Sequence, residues 1–434
     1  MWDMKSKQTT IKHVPRQAGL GVILLAGVAW WVVTAPVASS QDLTGLYLTW
    51  SRDPSTTMTI NWVNLYPRHT LTVYWREVGA DAWQEATATQ SAAGPSSLQI
   101  RRVELIGLKP ATTYEFGIGK RVEKPSDGWL FRTMPDTFDL PVSFVAGGDM
   151  MHRRGWHERM SAVAANVEPD FAVFGGDLAY ANGELATRWV DWLGAWMQRG
   201  MTRDRRLIPI VVAIGNHEVR GGYHGKIPDD APYFYSFFQL PDDRSYYALD
   251  FGQYLSMIVL DSDHTQPIAG AQAEWLERAL SERTEQKFLF ACYHYPAYGT
   301  TKAPEEGTPL DAKRAVAIRE HWVPHFERYG VSALLEHDHH NFKRTHRIRN
   351  HQRDDEHGLL YLGDGAWGVE TRTVPAPEEA WWLARAEPRR HLWHMALMPD
   401  GTATLSAIDA EGAVFDEVHL THPRTAPAAG AEVR

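Results

Sequence analysis

The sequence predicts an N-terminal antiparallel β-sandwich followed by a larger layered α/β domain. Short alternating segments crowd the stretch from Leu43 to about Pro135, separated by Gly, Pro, Ser and Asp. Beyond Asp139 the pattern changes to apolar runs interleaved with amphipathic stretches at helical spacing. Each of those runs ends in a polar or glycine-rich loop. At 434 residues, 44% hydrophobic and 22% charged, the chain has the length and apolar content for two or three domains.

Residues 1–40 read as an export segment. Lys5, Lys7, Lys12 and Arg16 precede an uncharged stretch from Ala18 to Ala38, after which small residues lead to Gln41. Cleavage near Ala38 would release the protein as secreted or periplasmic. The stretch also approaches the ~20 residues that span a bilayer, so left uncleaved it would anchor the chain to the membrane. Both outcomes put the body outside the cytoplasm.

Residues 41–135 form the predicted sandwich, with strands at Thr57–Trp62, Leu71–Trp75 and from Leu98 onward. The segment Leu108-Lys109-Pro110-Ala111-Thr112-Thr113-Tyr114 resembles the leucine–proline–tyrosine stretch of fibronectin type III-like domains, where the tyrosine packs into a corner. Nothing in this region pairs titratable groups suited to catalysis, which makes it structural or a wall for a neighbouring site. Residues 140–422 form the α/β domain. Its apolar runs lie at 142–146, 171–174, 208–214, 254–260, 288–293 and 331–335, with helical stretches at 156–165, 186–197 and 271–280. Residues 423–434 read as a disordered tail.

A net charge of −9 argues against bulk nucleic acid as a partner, since such binding uses a basic surface. Cys292 stands alone, so no intramolecular disulfide forms, and its apolar neighbours make it a buried strand thiol. Oligomeric state is not encoded in any of these features. Twenty histidines are the informative excess.

The chemistry sits after the strands. Gly148-Asp149 follows the first run, Gly176-Asp177-Leu178-Ala179-Tyr180 the second, Gly215-Asn216-His217-Glu218 the third, and Tyr293-His294 closes the run at 288–293. The fifth such segment is Leu335-Glu336-His337-Asp338-His339-His340. One Gly-Asp after a strand is usually a turn. Five polar groups at the carboxyl ends of strands, where open α/β sheets gather their chemistry, are not explained by turns.

In order and content these segments resemble the metallophosphoesterase superfamily, and within it the purple acid phosphatases and their relatives with an N-terminal fibronectin type III-like domain. The family signatures GDxG, GDxxY, GNH(D/E), VxxH and GHxH are met at Asp149 (with Met151 for the last Gly), at Asp177 and Tyr180, at Asn216, His217 and Glu218, and at His294 (with Ala291 for Val). The resemblance implies a four-layered α/β/β/α calcineurin-like fold and a site for two metal ions about 3.5–4 Å apart. It implies that Asp177 bridges the ions, that Asp149 and Tyr180 hold the first, and that Asn216 and His294 hold the second. A phenolate ligand suits Fe(III) at the Tyr180 position, with divalent Fe, Zn or Mn at the other.

The fifth segment departs from the family. Counted back from Arg344, its ligand pair falls on Asp338 and His340; counted forward, His337 and His339 spell the familiar His-x-His one residue early. Alternate residues of an extended segment share a face, so the two pairs exclude each other. Alignment without a gap favours Asp338 and His340. The activity the resemblance implies is phosphate monoester hydrolysis of a small molecule by attack of a metal-bridging hydroxide, with His217 protonating the leaving group. Phosphodiester or nucleotide cleavage is the nearest rival, and a binding protein with a degenerate site the more distant one. His152, His157, His224, His264 and His391 carry no motif and read mostly as surface residues. His152 and Tyr295 adjoin motif residues without an assigned role.

Overall fold

A computed structural model describes residues 43–420 apart from 65–70, 125–126, 223–224, 301–311, 364 and 376–379. The expected export segment and tail therefore lie outside the described residues, as does His224. Among the described residues no helix is long and apolar enough to cross a membrane.

Eight strands open the chain: β1 (Leu43–Thr49), β2 (Thr57–Asn64), β3 (Thr72–Glu77), β4 (Gln84–Thr87), β5 (Thr89–Ala92), β6 (Gln99–Ile106), β7 (Thr113–Ile118) and β8 (Trp129–Arg132). They pair as two antiparallel four-stranded sheets, β1-β2-β6-β5 and β4-β3-β7-β8. Alternation does the work: in β3 Val73 and Trp75 are buried while Thr72 and Tyr74 are less so. The Tyr114 hydroxyl accepts the Lys109 N–H at 2.8 Å, pinning the turn made by Pro110, and its ring packs on Trp75 and Phe131.

The second domain stacks two sheets. The first contains β9 (Val142–Gly147), β10 (Phe171–Gly175) and β11 (Ile210–Ala213) in parallel, with α1 (Arg154–Asn166) and α2 (Ala186–Arg199) as crossovers. After α3 (Pro232–Phe237), the second sheet is built from β12 (Tyr247–Phe251), β13 (Leu255–Val259), β14 (Phe288–Cys292), β15 (Ala333–Leu335), β16 (Phe342–Thr345), β19 (Tyr361–Gly363) and β20 (Leu383–Glu387). Its helices are α4 (Ala271–Ser281), α5 (Lys313–His321) and α6 (Val323–Tyr329); β17 (Ile348–Arg349) and β18 (Gln352–Arg353) form a side hairpin. The chain then returns through β21 (His391–Leu397), β22 (Ala403–Asp409) and β23 (Val414–Leu420), giving sheet orders β11-β10-β9-β21-β22-β23 and β12-β13-β14-β15-β19-β16-β20.

The central parallel strands are buried along their whole length, as expected of strands covered on both faces. Phe144 of β9 meets Phe290 of β14 edge-on at 5.2 Å, where the sheets face each other. On the outer side of the first sheet, Trp189, Trp192 and Trp196 form a buried stripe along α2 at helical spacing. On the outer side of the second, Leu276, Ile318 and Phe326 share a core with Leu289 and Leu334. The order of layers is therefore α/β/β/α.

The sandwich is bolted to this domain beside the loops of interest. Leu193 of α2 lies 3.0 Å from where a Cβ on Gly45 would stand. Tyr47 donates to the Phe237 carbonyl at 2.6 Å, and the Arg102 guanidinium reaches the carbonyls of Ser236 and Phe237 at 3.2 and 2.8 Å.

The histidines outside the motifs correct the expectation from sequence. His152 is exposed, but His157, His264 and His391 are buried. Each lies in a contact the linear pattern does not show: His157 stacks on Trp192 and bonds its carbonyl at 3.2 Å across the α1–α2 interface. Burial lowers the pKa of His157 to about 3. Its folded pKa thus lies below the unfolded value of about 6.5, so the unfolded chain binds the extra proton between those values and stability falls as pH drops through that window. At pH 5 the loss from this residue is about 2 kcal/mol. Denaturant titrations of wild type and His157→Leu at pH 7.5 and 5 should therefore show the variant losing less stability on acidification; an equal loss would remove His157 from the account.

Candidate metal centre

The five motif loops leave the carboxyl ends of β9, β10, β11, β14 and β15 on one side of the paired sheets. What fixes them is a set of buried polar contacts between loops. The Glu218 carboxylate accepts N–H groups from Asp177 (2.7 Å), Leu178 (2.9 Å) and Gly215 (2.9 Å), locking the second and third loops together. Burial and the adjacent Asp177 push its pKa up, while those N–H donors favour the charged form. The first and second loops are tied by Asp149 N–H to the Gly176 carbonyl and Met150 N–H to the Asp177 carbonyl.

The fourth and fifth loops share a buried ion pair. Glu336 and Lys343 are both fully buried and bonded to each other. Glu336 also accepts the Tyr293 hydroxyl and the Ala297 N–H, each at 2.7 Å, and Lys343 donates to the Tyr298 carbonyl at 2.7 Å. Leaving one member of such a pair uncompensated typically costs about 3–5 kcal/mol.

Asp149, Asp177, Tyr180, His340, Asn216, His294 and Asp338 converge into one cluster. On one side, the Asp149 Oδ1, Tyr180 Oη and His340 Nε2 atoms lie 3.0–3.2 Å from one another. On the other, His294 Nε2 lies 3.2 Å from Asn216 Oδ1, 3.4 Å from Asp177 Oδ1 and 3.5 Å from Asp338 Oδ1. Ligand atoms of Asp149, Asp177 and His294 all fall within 4.8 Å of one another, which joins the two sides. Donors at about 2.0–2.2 Å from a common cation stand about 3.0–3.6 Å apart, so both groupings have the size of a coordination shell.

The protonation pattern points the same way. His294 donates Nδ1–H to the Gly175 carbonyl at 2.8 Å, an assignment the hydrogen-bond network makes, and this turns Nε2 toward three oxygens. Burial opposes a charge on His294, but Asp177, Asp338 and Asp149 overcome it and raise its pKa well above the ordinary histidine value. A proton on Nε2 thus stands where a cation would satisfy the same oxygens. Burial would raise the Asp177 carboxyl; His294 and His217 more than offset this and hold it well below the usual range. Tyr180 is pushed well above its ordinary value by burial and by Asp149, Asp177 and Asp338, so a strong cation is needed to make it a phenolate. The donor set fits two metal ions.

The fifth segment resolves into two faces. Asp338 and His340 point into the cluster. His337 points into the core, its ring lying on Gly148 and Gly175, where a Cβ on Gly175 would stand 1.7 Å from the ring, and its Nε2 lies 3.7 Å from Cys292 Sγ. His339 turns to Gly299 and accepts the Thr300 N–H at 2.8 Å.

His217 sits at the rim with about a third of its side chain exposed, its ring 4.3 Å from that of Tyr180 and its Nε2 3.8 Å from Asp177 Oδ2. Its Nδ1 bonds the Asn182 Oδ1. Asn182 is a residue the sequence reading missed: Asn182-Gly183 looks like an ordinary turn. His264 was also passed over. It is buried with its ring 5.4 Å from that of His294.

Both domains resemble those of known proteins. Residues 43–133 match the purple acid phosphatase N-terminal domain and residues 144–341 the calcineurin-like phosphoesterase family. Two uncharacterized proteins of Mycobacterium tuberculosis strains are each 25% identical over 376 residues, covering 77% of this chain and 65% of theirs. Purple acid phosphatase 13 of Arabidopsis thaliana is 25% identical over 327 residues, covering 64% of this chain and 56% of its own. The chain thus spans 65% or less of the length of these curated relatives. Among solved structures, purple acid phosphatase PPD1 from yellow lupin (Lupinus luteus) seeds superposes with a TM-score of 0.71 at 17% identity, covering 86% of this chain and 73% of that one. A PhoD structure gives 0.65 at 14% identity, covering 88% and 90%. At these identities the likeness speaks to fold. The chain joins a purple acid phosphatase N-terminal domain to a calcineurin-like phosphoesterase domain, the make-up of a purple acid phosphatase-like metallophosphoesterase.

Proposed function

We propose that the protein hydrolyses small phosphate monoesters outside the cytoplasm, using Fe(III) at the Tyr180 position and a divalent ion at the other. The observation that carries this is the two-sided cluster: Asp149, Tyr180 and His340 on one side, Asn216, His294 and Asp338 on the other, with Asp177 between. Two cations held there would polarise the phosphoryl oxygens and bring a bound water toward neutrality in pKa.

The chain's own groups supply the rest. Asn182 holds the Nδ1 side of His217, which leaves Nε2 facing Asp177 and the open rim. A proton carried on that Nε2 is placed to pass to the oxygen of the departing alcohol, and partial exposure lets water restore it. Tyr180 packs under the His217 ring and limits its rotation. Glu218 holds the loops bearing Asp177 and Asn216 in one relative position, so the receiving charges need no reorganisation.

Three outcomes are expected. The metal-loaded protein should hydrolyse p-nitrophenyl phosphate faster than bis(p-nitrophenyl) phosphate, and His217→Ala should lower kcat about 10²–10⁴-fold with a small change in KM. Fewer than one tightly bound metal per chain together with no hydrolysis would end the enzyme reading, and a faster diester reaction would move it to the phosphodiesterases. The iron-loaded protein should absorb visible light through phenolate-to-metal charge transfer, and Tyr180→Phe should abolish the band; an unchanged spectrum removes Tyr180 as a ligand. Fractionation of cells expressing the full chain should place the protein in the extracytoplasmic or membrane fraction, and recovery in the cytoplasm would refute export.

A further inference from the structure

The second side of the cluster has an unusual balance of donors. Facing His294 Nε2 are Asn216 Oδ1 at 3.2 Å, Asp177 Oδ1 at 3.4 Å and Asp338 Oδ1 at 3.5 Å, three oxygens to one nitrogen. The first side also has a single nitrogen, His340 Nε2, against the Asp149 and Tyr180 oxygens, and Asp177 lies near both Asp149 and His294. The other two histidines of the fifth segment do not supply a further nitrogen. His337 is wedged over Gly175 against Cys292, and His339 Nδ1 accepts the Thr300 N–H, which leaves the ring proton on Nε2, 3.7 Å from Asp338 Oδ2.

Asp338 is fixed in this position. Its backbone N–H donates to Asp149 Oδ2 at 2.9 Å, its carbonyl accepts from Arg372 at 3.2 Å, and only 2% of the residue is exposed. Its φ of 76° aims the side chain inward at the cost of left-handed backbone. The carboxylate therefore has no solvent-facing alternative.

We propose that Asp338 makes the second cation position an oxygen-dominated shell with a single nitrogen donor, biased toward a hard divalent ion, Mn(II) or Fe(II), and away from zinc. Carboxylate and carbonyl oxygens suit the harder ions, whereas imidazole raises the relative affinity for zinc. The intrinsic order of divalent affinities still favours zinc over manganese in any shell. Asp338 narrows that gap. It also places one more negative charge at the cluster, which weakens the pull on an anionic ligand.

This inference rests on the two-metal reading above, and its tests are separable from it. With the protein stripped of metal and reloaded with Mn(II) alone, pulsed electron paramagnetic resonance should count one directly bound nitrogen per ion. The count is the same whichever side the ion occupies, so two nitrogens would overturn the proposal without any variant. Competition titrations with Zn(II) and Mn(II) against a chromophoric chelator should show the zinc-to-manganese affinity ratio rising about tenfold in Asp338→His, while Asp338→Asn, which keeps the oxygen and removes the charge, changes the ratio less. An unchanged or lower ratio in Asp338→His overturns the proposal. Inorganic phosphate should bind more tightly to metal-loaded Asp338→Asn than to wild type, and weaker or equal binding contradicts the charge argument. Single-nitrogen coordination with no hydrolysis of phosphate esters would refute the proposed function and leave this inference standing.

Discussion

The site depends on backbone held where side-chain-bearing residues seldom go. Asp149, Asp177, Tyr180, Asp338 and His340 all have φ between 53° and 76°, in the left-handed region. Each such residue costs on the order of 1 kcal/mol or more relative to ordinary backbone. The cost persists because the surroundings leave no alternative: β9 and β10 run in parallel register up to Gly147 and Phe174, and the loops beyond them exchange backbone hydrogen bonds at once. The result is a set of side chains aimed at a common point instead of along their strands. Three buried carboxylates, one buried histidine and a phenol in that arrangement are costly without a counter-charge, and the protein carries the cost as fixed geometry.

That organisation was only partly legible in the sequence. The apolar runs at 142–146, 171–174 and 288–293 became β9, β10 and β14 within a residue or two, because strands buried on both faces leave a continuous signal. The loops were legible because a polar residue able to hold a metal recurs after five of the runs, directly behind Gly in the first three. The inward course of His337, into the core and away from the cluster, was not legible, since two alternating faces both offered histidines. Packing decides it: only glycines at 148 and 175 leave space for an imidazole beneath the loops, and His337 fills it. The buried His157 and His391 escaped notice for a related reason. Their partners are far away in sequence, at Trp192 in one case and Phe342 and Phe415 in the other.

Glu218 and Glu336 show how polar groups order the loops from behind. Their hydrogen bonds go to backbone N–H groups, to the Tyr293 hydroxyl and to Lys343. Glu218 gathers N–H groups from the second and third loops, and Glu336 joins the fourth loop to Lys343 beyond the fifth. Buried carboxylates satisfied by several donors rigidify their surroundings, and unsatisfied ones do the opposite. Two such anchors, one on each sheet, leave the cluster between them with little freedom to relax.

The contact between the sandwich and α3 carries a different consequence. A helix of six residues, Pro232–Phe237, is too short to persist in water by itself, and its last carbonyls have no partner within the helix. Tyr47 and Arg102, from the other domain, take up the carbonyls of Ser236 and Phe237. The sandwich is thus the C-terminal cap of a helix it does not contain. Acquisition of shape by residues 232–239 and docking of the two domains are then one event, and the β-domain acts as a template for its neighbour as well as a support.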